Sequence, residues 1–566
     1  MSQPLRRRAT VAIACILAGA LWGGAWCAEE GEVKGAESLL QASSQDMAWW
    51  REGRFGLFVH WGPVSLRGTE IGWSRGGERR GTGGTGQIPA QVYDNLYKQF
   101  NPVEFDAAEW VRIAKAAGMK YIVFTTKHHD GFSMFGTQLS DYNITRSSFG
   151  RDIVAELAQA CHEAGIGLGF YYSPPDWHHP DYRTDRHAAY VKYLHGQLRE
   201  LCTNYGKIDI IWFDGLGGTA QDWDSERLLT MIRKLQPHVL INNRAGLRGD
   251  FDTPEQRVGR FQPDRPWESC ITICRQWAWK PDDRLKSLQE CVHTLVRCAC
   301  GDGNLLLNVG PMPTGSIEPR QVERLAQIGR WLQAHGETIY GTRGGPFRTA
   351  RWGGTTYEGD RIFAHILQQP EGALRLPPID GKIIATRVLT GGTVDLRQTD
   401  DSIELYVAQE SRDPLDTIVE LRLDRPAGDV RVGVLPSGSV ALGKPTFATN
   451  TYRGMDLHGP GKALDDDPDT RWATDYGVHQ AQLWVDLGED STVGRAYLSE
   501  AYDRVRSYRL EYWDGESWQA LARGDRIGED KALTFSPVTT RHIRLNILDA
   551  TEGPTIWELQ LLGPED

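Results

Sequence analysis

Apolar residues in this chain gather into short runs that stop abruptly at polar ones. The plainest is Ile208–Gly215, IDIIWFDG: Ile208, Ile210, Ile211, Trp212 and Phe213 surround one acid, Asp209, before the run ends at Asp214. A near-continuous apolar run of this length predicts a strand buried on both faces, the habit of parallel sheets. Around it one unit recurs three times: a capped amphipathic helix, a glycine, then an apolar strand. Asp106 and Glu109 open a helix that stops at Gly118, ahead of Tyr121–Thr126; Asp152 opens another that stops at Gly165, ahead of Ile166–Tyr172. A third runs from about Asp185 to Tyr205, stops at Gly206 and feeds the IDIIWFD strand. Aspartate at the N-cap and glycine past the C-terminus are the expected punctuation. Helix–strand alternation at this spacing means βα units and a parallel sheet.

Phe55–His60 (FGLFVH) reads as an earlier strand, and Val239–Asn243 and Asn304–Val309 as later ones, the last preceded by a helix from about Asp282 to Cys300. So many parallel strands over roughly 300 residues favour a closed (β/α) barrel over an open sheet. In a barrel the C-terminal strand ends converge on one mouth, where the chemistry is kept. Here those ends are His60-Trp61-Gly62, Lys127-His128-His129-Asp130-Gly131, Tyr171-Tyr172-Ser173, Trp212-Phe213-Asp214 and Asn243-Arg244. The glycine-rich stretch Gly76–Gly86 forms a flexible loop after the first strand.

After about Gly345 the texture changes to alternating runs such as Ile403–Val407 and Ile418–Leu423, which predict a small all-β domain. Pro436–Pro445, rich in Gly, Ser and Pro, reads as a linker. The remainder is again β-rich, with Leu483–Gly488 and Tyr508–Trp513 as strands.

Composition narrows the function. Hydrophobic content of 40% and charge of 24% describe globular material with ample core, and the net charge of -11 argues against a nucleic-acid or anionic-membrane partner. Twenty Trp and nineteen Tyr suit a protein that stacks rings on sugars or peptides. Arg6, Arg7 and Arg8, the apolar stretch Val11–Leu21 and Ala25-Trp26-Cys27 read as a secretory signal peptide cleaved after Cys27. Its loss removes three arginines and takes the charge from -11 to -14. No later segment is long enough to span a bilayer. The location expected is therefore secreted or periplasmic. Seven cysteines remain, too few and too odd for a disulfide scaffold, and they read mostly as buried thiols with room for one or two bridges.

Two acids stand out. Asp214 ends the central strand, and Glu268 lies fifty-four residues on, in Pro266-Trp267-Glu268-Ser269-Cys270. Cleavage of a glycosidic bond needs one carboxylate kept ionised and another kept protonated, and Trp267 and Trp277 offer apolar surroundings for the second. Spacing alone does not single out this pair. His60, His128 and His129 at strand ends invite a rival reading as ligands of a metal-dependent barrel hydrolase. They serve equally well to hydrogen-bond sugar hydroxyls.

Six ordered segments carry a specific resemblance: FGLFVHWG (55–62), YIVFTTKHHDGF (121–132), IWFDG (211–215), GDFDTPEQ (249–256), WESC (267–270) and NLLLNVGP (304–311). Over roughly Met47 to Leu435 the chain resembles glycoside hydrolase family 29, the α-L-fucosidases. The resemblance implies a TIM-like barrel followed by a β-sandwich, and hydrolysis with retention through a covalent intermediate. It implies Asp214 as nucleophile and Glu268 as acid/base. His60, His128, His129, Tyr171, Trp212 and Arg244 match residues lining the fucose pocket, with Trp212 as an aromatic wall. Glu70 and Trp73, in GTEIGWSR, resemble a Glu-Trp element of the family, but two residues separate them here. Where the family often shows Ser-Trp-Gly-Tyr, this chain has Gln276-Trp277-Ala278-Trp279, which alters the leaving-group side.

The C-terminal part resembles a discoidin-like domain, the fold of family 32 carbohydrate-binding modules, through ALDDDPDTRW (463–472), LWVDLG (483–488) and WEL (557–559). That likeness implies a structural calcium, for which oxygen ligands at Asp465, Asp467, Thr470 and Glu558 suit a hard cation. The expected organisation is a signal peptide 1–27, a leader 28–45, a catalytic TIM-like barrel 46–345, a β-sandwich 346–435 and a discoidin-like (F5/8 type C) carbohydrate-binding domain 436–566. The expected function is a secreted exo-acting α-L-fucosidase on terminal fucose of glycans or oligosaccharides, α1,3 and α1,4 linkages included, with no cofactor for catalysis. The alternatives are the metal-dependent hydrolase and a sugar-binding protein with a dead barrel; retention of both acids speaks against the last.

Overall fold

The computed structural model describes residues 40–368, 370, 372–433, 435, 437–467, 470–528 and 531–564, so the expected signal peptide lies outside the described residues. The chain divides into two units, Met1–Gly341 and Thr342–Asp566.

In the first unit the apolar runs become parallel strands: β1 (Phe55–Val59), β2 (Tyr121–Lys127), β3 (Gly167–Tyr172), β4 (Ile210–Phe213), β5 (Leu240–Ile241), β6 (Glu268–Thr272) and β7 (Asn304–Val309). They lie in the order β5-β4-β3-β2-β1-β7-β6. Between the edges β5 and β6 runs an irregular stave, residues 250–256. Parallel bridges Asn242↔Phe251, Asp252↔Trp267 and Glu255↔Cys270 tie it to both neighbours and close the barrel. Its backbone alternates partners: Asp250 N donates to Ile241 O, and Cys270 N donates to Pro254 O at 3.0 Å.

The helices between strands form where capping predicts. Asp106 and Asp152 each accept an N–H of the first turn, from Glu109 and Ala155, and Gly165 closes its helix at φ 64°. The helix expected from Asp282 begins only at Leu288, because Ser287 and Glu290 make a reciprocal capping box there. Inward side chains from all seven strands fill the barrel: Phe58, Tyr121, Val123, Tyr171, Ile210, Trp212, Leu240, Cys270 and Leu306, with Trp50 and Phe251. Gly56 makes room for the Tyr121 ring, since a Cβ there would meet its Cε2 at 2.3 Å. All seven described cysteines are buried, and no disulfide forms among the described residues. No described helix is long and apolar enough to cross a membrane.

The second unit is all β. A five-stranded sheet joins β8 (Arg343–Gly344), β9 (Gly353–Glu358), β10 (Arg361–Ile366), β12 (Ile383–Val388) and β15 (Thr417–Leu423). A three-stranded sheet joins β11 (Leu374–Leu376), β13 (Val394–Gln398) and β14 (Ile403–Val407), and Ile362, Leu376, Leu405 and Leu421 share one core. Residues 437–445, expected as a linker, instead pack onto the C-terminal core, where Ala441 is buried and Val440 N donates to Leu561 O. With them β16 (Thr446–Ala448), β17 (Trp472–Ala473), β18 (Ala481–Glu500), β19 (Val505–Trp513), β20 (Trp518–Gly524), β21 (Lys531–Ala550) and β22 (Thr555–Leu562) make one antiparallel system. The two long strands β18 and β21 pair along their length with register shifts, as strands do when they bend around a core. That core is the inward set Leu483, Val485, Leu487, Ile543, Leu545 and Ile547.

Candidate active site

Asp214 follows β4 at the C-terminal rim and is held from three sides. Tyr171 donates its hydroxyl to Oδ2 at 2.9 Å, Arg244 Nη1 lies 3.1 Å from Oδ1, and His129 Nε2 lies 3.3 Å from Oδ2. Burial pushes the carboxyl up, but His129, Arg244 and His128 together pull harder and leave it well below the usual carboxylate range. Asp214 is therefore an anion at any working pH. Gly215 is required beside it, since a Cβ there would meet Arg244 O at 2.2 Å.

Arg244, just past β5, is fully wired. Nε donates to Thr253 Oγ1 at 2.7 Å and Nη2 to Thr253 O at 2.9 Å. Nη1 reaches both Asp214 and Glu255 Oε2, the latter at 2.9 Å. Glu255 sits at the C-terminal end of the closing stave, with 43% of its side chain exposed. Sharing one nitrogen at 3.1 and 2.9 Å, the two oxygens lie no more than about 6 Å apart, short of the roughly 6.5–9.5 Å that an inverting carboxylate pair needs. A cavity of about 340 Å³ beside them is lined by Asp214, Leu216, Asn243, Arg244 and Thr253.

The histidines gather here as the strand ends predict. His60 Nδ1 pairs with Asn308 Oδ1 at 2.7 Å, and burial pushes its pKa down to about 3, so it is neutral. His129 Nδ1 meets Ser173 Oγ at 2.6 Å. The His128 ring stacks on Tyr171 at 5.5 Å and 7°, and burial and its histidine neighbours keep it well below the usual imidazole range. Its buried Nδ1 has no hydrogen-bond partner. Trp73 stands edge-on to His129 at 5.7 Å and is 36% exposed, and Trp277 lies 4.7 Å over His60.

Three expectations are corrected. Glu268 is the first residue of β6, at the N-terminal end of the strand, whereas Asp214 stands beyond the C-terminal end of β4. Completely buried, it accepts from Trp50 Nε1 and Trp212 Nε1, each at 3.2 Å, and from the Tyr121 hydroxyl. Desolvation raises its pKa to about 7 against the pull of those three donors. Its carboxyl is occupied by these three donors at the opposite end of the strand from the rim. Trp212 is no pocket wall: it is 1% exposed, stacks on Tyr171 at 5.7 Å and carries the Arg244 guanidinium 4.8 Å over its ring, so it supports the site from beneath. Glu70 is a strut, accepting the backbone N–H groups of Trp277 at 3.0 Å and Ala278 at 3.1 Å. Burial pushes its carboxyl above the ordinary value against those donors.

At the acidic turn of the second unit, Asp465 accepts from Thr470 Oγ1 at 2.7 Å and pairs with Lys462 at 3.1 Å, and the Asp467 N–H also reaches it. Among the described residues no cluster of three His, Cys, Asp or Glu is arranged to hold a metal. Yet Glu558 Oε1 is buried without a partner, and burial, then the charges of Asp466, Asp465 and Asp467, push its pKa up to about 9. An all-oxygen set with one orphaned carboxylate fits a hard cation.

Comparison with known proteins identifies the family. A family model described as alpha-L-fucosidase matches residues 30–337, and one described as an F5/8 type C domain matches residues 446–559. The chain is 32% identical to the tissue alpha-L-fucosidase of Homo sapiens over 367 residues, 58% of this chain and 77% of that one. It is similar to the structure of alpha-L-fucosidase isoenzyme 1 from Paenibacillus thiaminolyticus, at 36% identity and a TM-score of 0.61, covering 67% of this chain and 99% of that one. A structure of a Bacteroides thetaiotaomicron alpha-L-fucosidase, trapped as a covalent intermediate with 2-fluoro-fucosyl fluoride, matches at 25% identity and a TM-score of 0.59, over 68% of this chain and 97% of that one.

Proposed function

Because this chain belongs to the α-L-fucosidase family of glycoside hydrolases, we propose that it releases terminal α-L-fucose with retention of configuration, using Asp214 as nucleophile and Glu255 as acid/base. The observation that carries the assignment is the shared Arg244 nitrogen, which brings the two carboxylates together at the rim. Asp214 Oδ attacks the anomeric carbon as the bond to the leaving oxygen breaks, and that oxygen takes the Glu255 proton. Glu255 then removes a proton from water, whose oxygen displaces Asp214 and frees fucose. His60, His128, His129 and Trp73 would recognise the sugar hydroxyls and ring. The covalent adduct of the Bacteroides relative supports this course.

The test is to soak the enzyme in 2-fluoro-fucosyl fluoride and map the adduct by peptide mass spectrometry. Attachment at Asp214 is expected, and attachment elsewhere refutes the assignment. A panel of α1,2-, α1,3-, α1,4- and α1,6-fucosylated oligosaccharides reads the linkage. The arginine-led apolar leader supports export to the periplasm or medium, to be checked by the N-terminus of the mature protein. Calcium at Asp465, Asp467, Thr470 and Glu558 is supported by the orphaned Glu558 oxygen.

A further inference from the structure

The outer face of the C-terminal sandwich breaks its own pattern. Along β18 the residues Leu483, Val485 and Leu487 are buried, and Gln482, Trp484 and Asp486 point away from the core. Polar residues are expected at such outward positions. Instead Phe447 on β16 is 62% exposed and Trp484 is 38% exposed, and cross-strand register sets them side by side. The row continues through Arg544 on β21 and Glu511 on β19. Trp513 and Trp518 close its far side, paired across β19 and β20. Together with Asp486 and His542 these rings line a cavity of about 610 Å³, a volume typical of small-ligand sites.

Two features define what fits. The indoles are not coplanar: Trp484 and Trp518 meet at 5.7 Å and 51°, Trp513 and Trp518 at 5.5 Å and 62°. They form the walls of a groove, suited to a single turning chain and not to a flat crystalline surface. The arginines beside the rings are paired. Arg544, seated 4.3 Å over Trp518, donates to Glu511 at 2.6 Å, and Arg541 makes a two-bonded pair with Asp486 at 2.7 and 2.9 Å. The two arginines beside the rings are each answered by a carboxylate, so the aromatic walls themselves present no unpaired arginine to a polyanion, an anionic membrane or an acidic peptide. The groove offers hydrogen-bonding groups around aromatic walls, which complements an uncharged polyhydroxylated ring with one apolar C–H face.

We propose that this sheet face is a binding groove for a neutral oligosaccharide, a deepening of the carbohydrate-binding reading of residues 436–566. It grips pyranose rings between Phe447, Trp484 and Trp518. The groove holds substrate-bearing glycan without taking part in bond cleavage.

The test uses the full chain with Asp214→Ala, so that bound glycan is not consumed, on a printed array of neutral, sialylated and sulfated glycans. Neutral glycans should bind, with the acidic ones no better. Phe447→Ala or Trp484→Ala in that background should weaken binding at least tenfold. In the otherwise native enzyme the same substitutions should leave kcat/KM on p-nitrophenyl α-L-fucoside within twofold. Phe447 contributes little to the core, so its variant remains informative even where Trp484→Ala folds poorly. Unchanged glycan binding in both variants, preference for acidic glycans, or no neutral glycan bound would overturn the groove; so would variants that lose only self-association or a protein partner. Failure to turn over the aryl fucoside would instead count against the catalytic reading.

Discussion

Glu268→Gln separates a buried structural carboxylate from a catalytic one. In the folded barrel burial raises the pKa of Glu268 from its ordinary 4.5 to about 7, since the dry site disfavours charge more than three donors favour it. Each unit is about 1.4 kcal/mol, so keeping Glu268 ionised above pH 7 costs the fold roughly 3 kcal/mol relative to pH below 4.5. Between those values the folded chain holds a proton that the unfolded chain has released, so stability falls as pH rises through that window. Glutamine never ionises. Its amide must set an N–H against one of the donors of Trp50, Tyr121 or Trp212, a pH-independent penalty of about 1–3 kcal/mol. Urea unfolding of the barrel at pH 4.5 and 7.5 should therefore show the variant behind wild type at the lower pH. It should regain about 3 kcal/mol on wild type at the higher one. Activity measured on a fucosylated oligosaccharide and on an activated aryl fucoside should change by the same factor, because no leaving-group proton comes from this residue. Parallel stability profiles for the two proteins, or a loss confined to the poor leaving group, would refute the placement.

Other outcomes follow from the same geometry. Asp214→Ala should fold and lose several orders of magnitude of activity, partly restored by azide, which can occupy the space of the missing carboxylate; full activity would remove it as nucleophile. Glu255→Gln should lose far more turnover on the oligosaccharide than on an aryl fucoside with a nitrophenolate leaving group, with the slow step moving to hydrolysis of the intermediate, as burst kinetics would show. Glu70→Gln should raise KM more than it lowers kcat, since its strut holds Trp277 over His60; equal effects on both parameters would place it in the chemistry. Calcium should raise, and a chelator lower, the melting temperature of the second unit while aryl-fucoside turnover stays constant; an unmoved melt would dismiss the cation.

The rim of the barrel was legible because buried parallel strands write themselves as apolar runs, and each run here ends in a residue that the fold gathers at the candidate site: His60, His128 and His129, Tyr171, Asp214. Glu268 misled for a physical reason. Its neighbours do signal a dry site, but residue spacing does not tell which end of a strand an acid occupies, and here it is the first residue of β6. Glu255 escaped because its stave is no apolar run: GDFDTPEQ offers one phenylalanine and a proline, and its bridges to β5 and β6 come from tertiary pairing. Thr253, Ser173 and Asn308, which orient Arg244, His129 and His60, carry no signal of their own; only the fold brings them into reach.

The closing stave gives the barrel a seam, and one carboxylate of the candidate site stands on it. Seven staves are zipped by regular ladders, whereas this one is basted by scattered bridges around Pro254 and still presents Glu255 and the Thr253 anchor of Arg244. Opening that seam would cost little ordered structure, yet it would unfasten the acid and slacken the cation between the two carboxylates in one motion. Warming should thus silence the enzyme while its helices and other strands still stand, and the first amides to exchange ahead of inactivation should be those of residues 250–256.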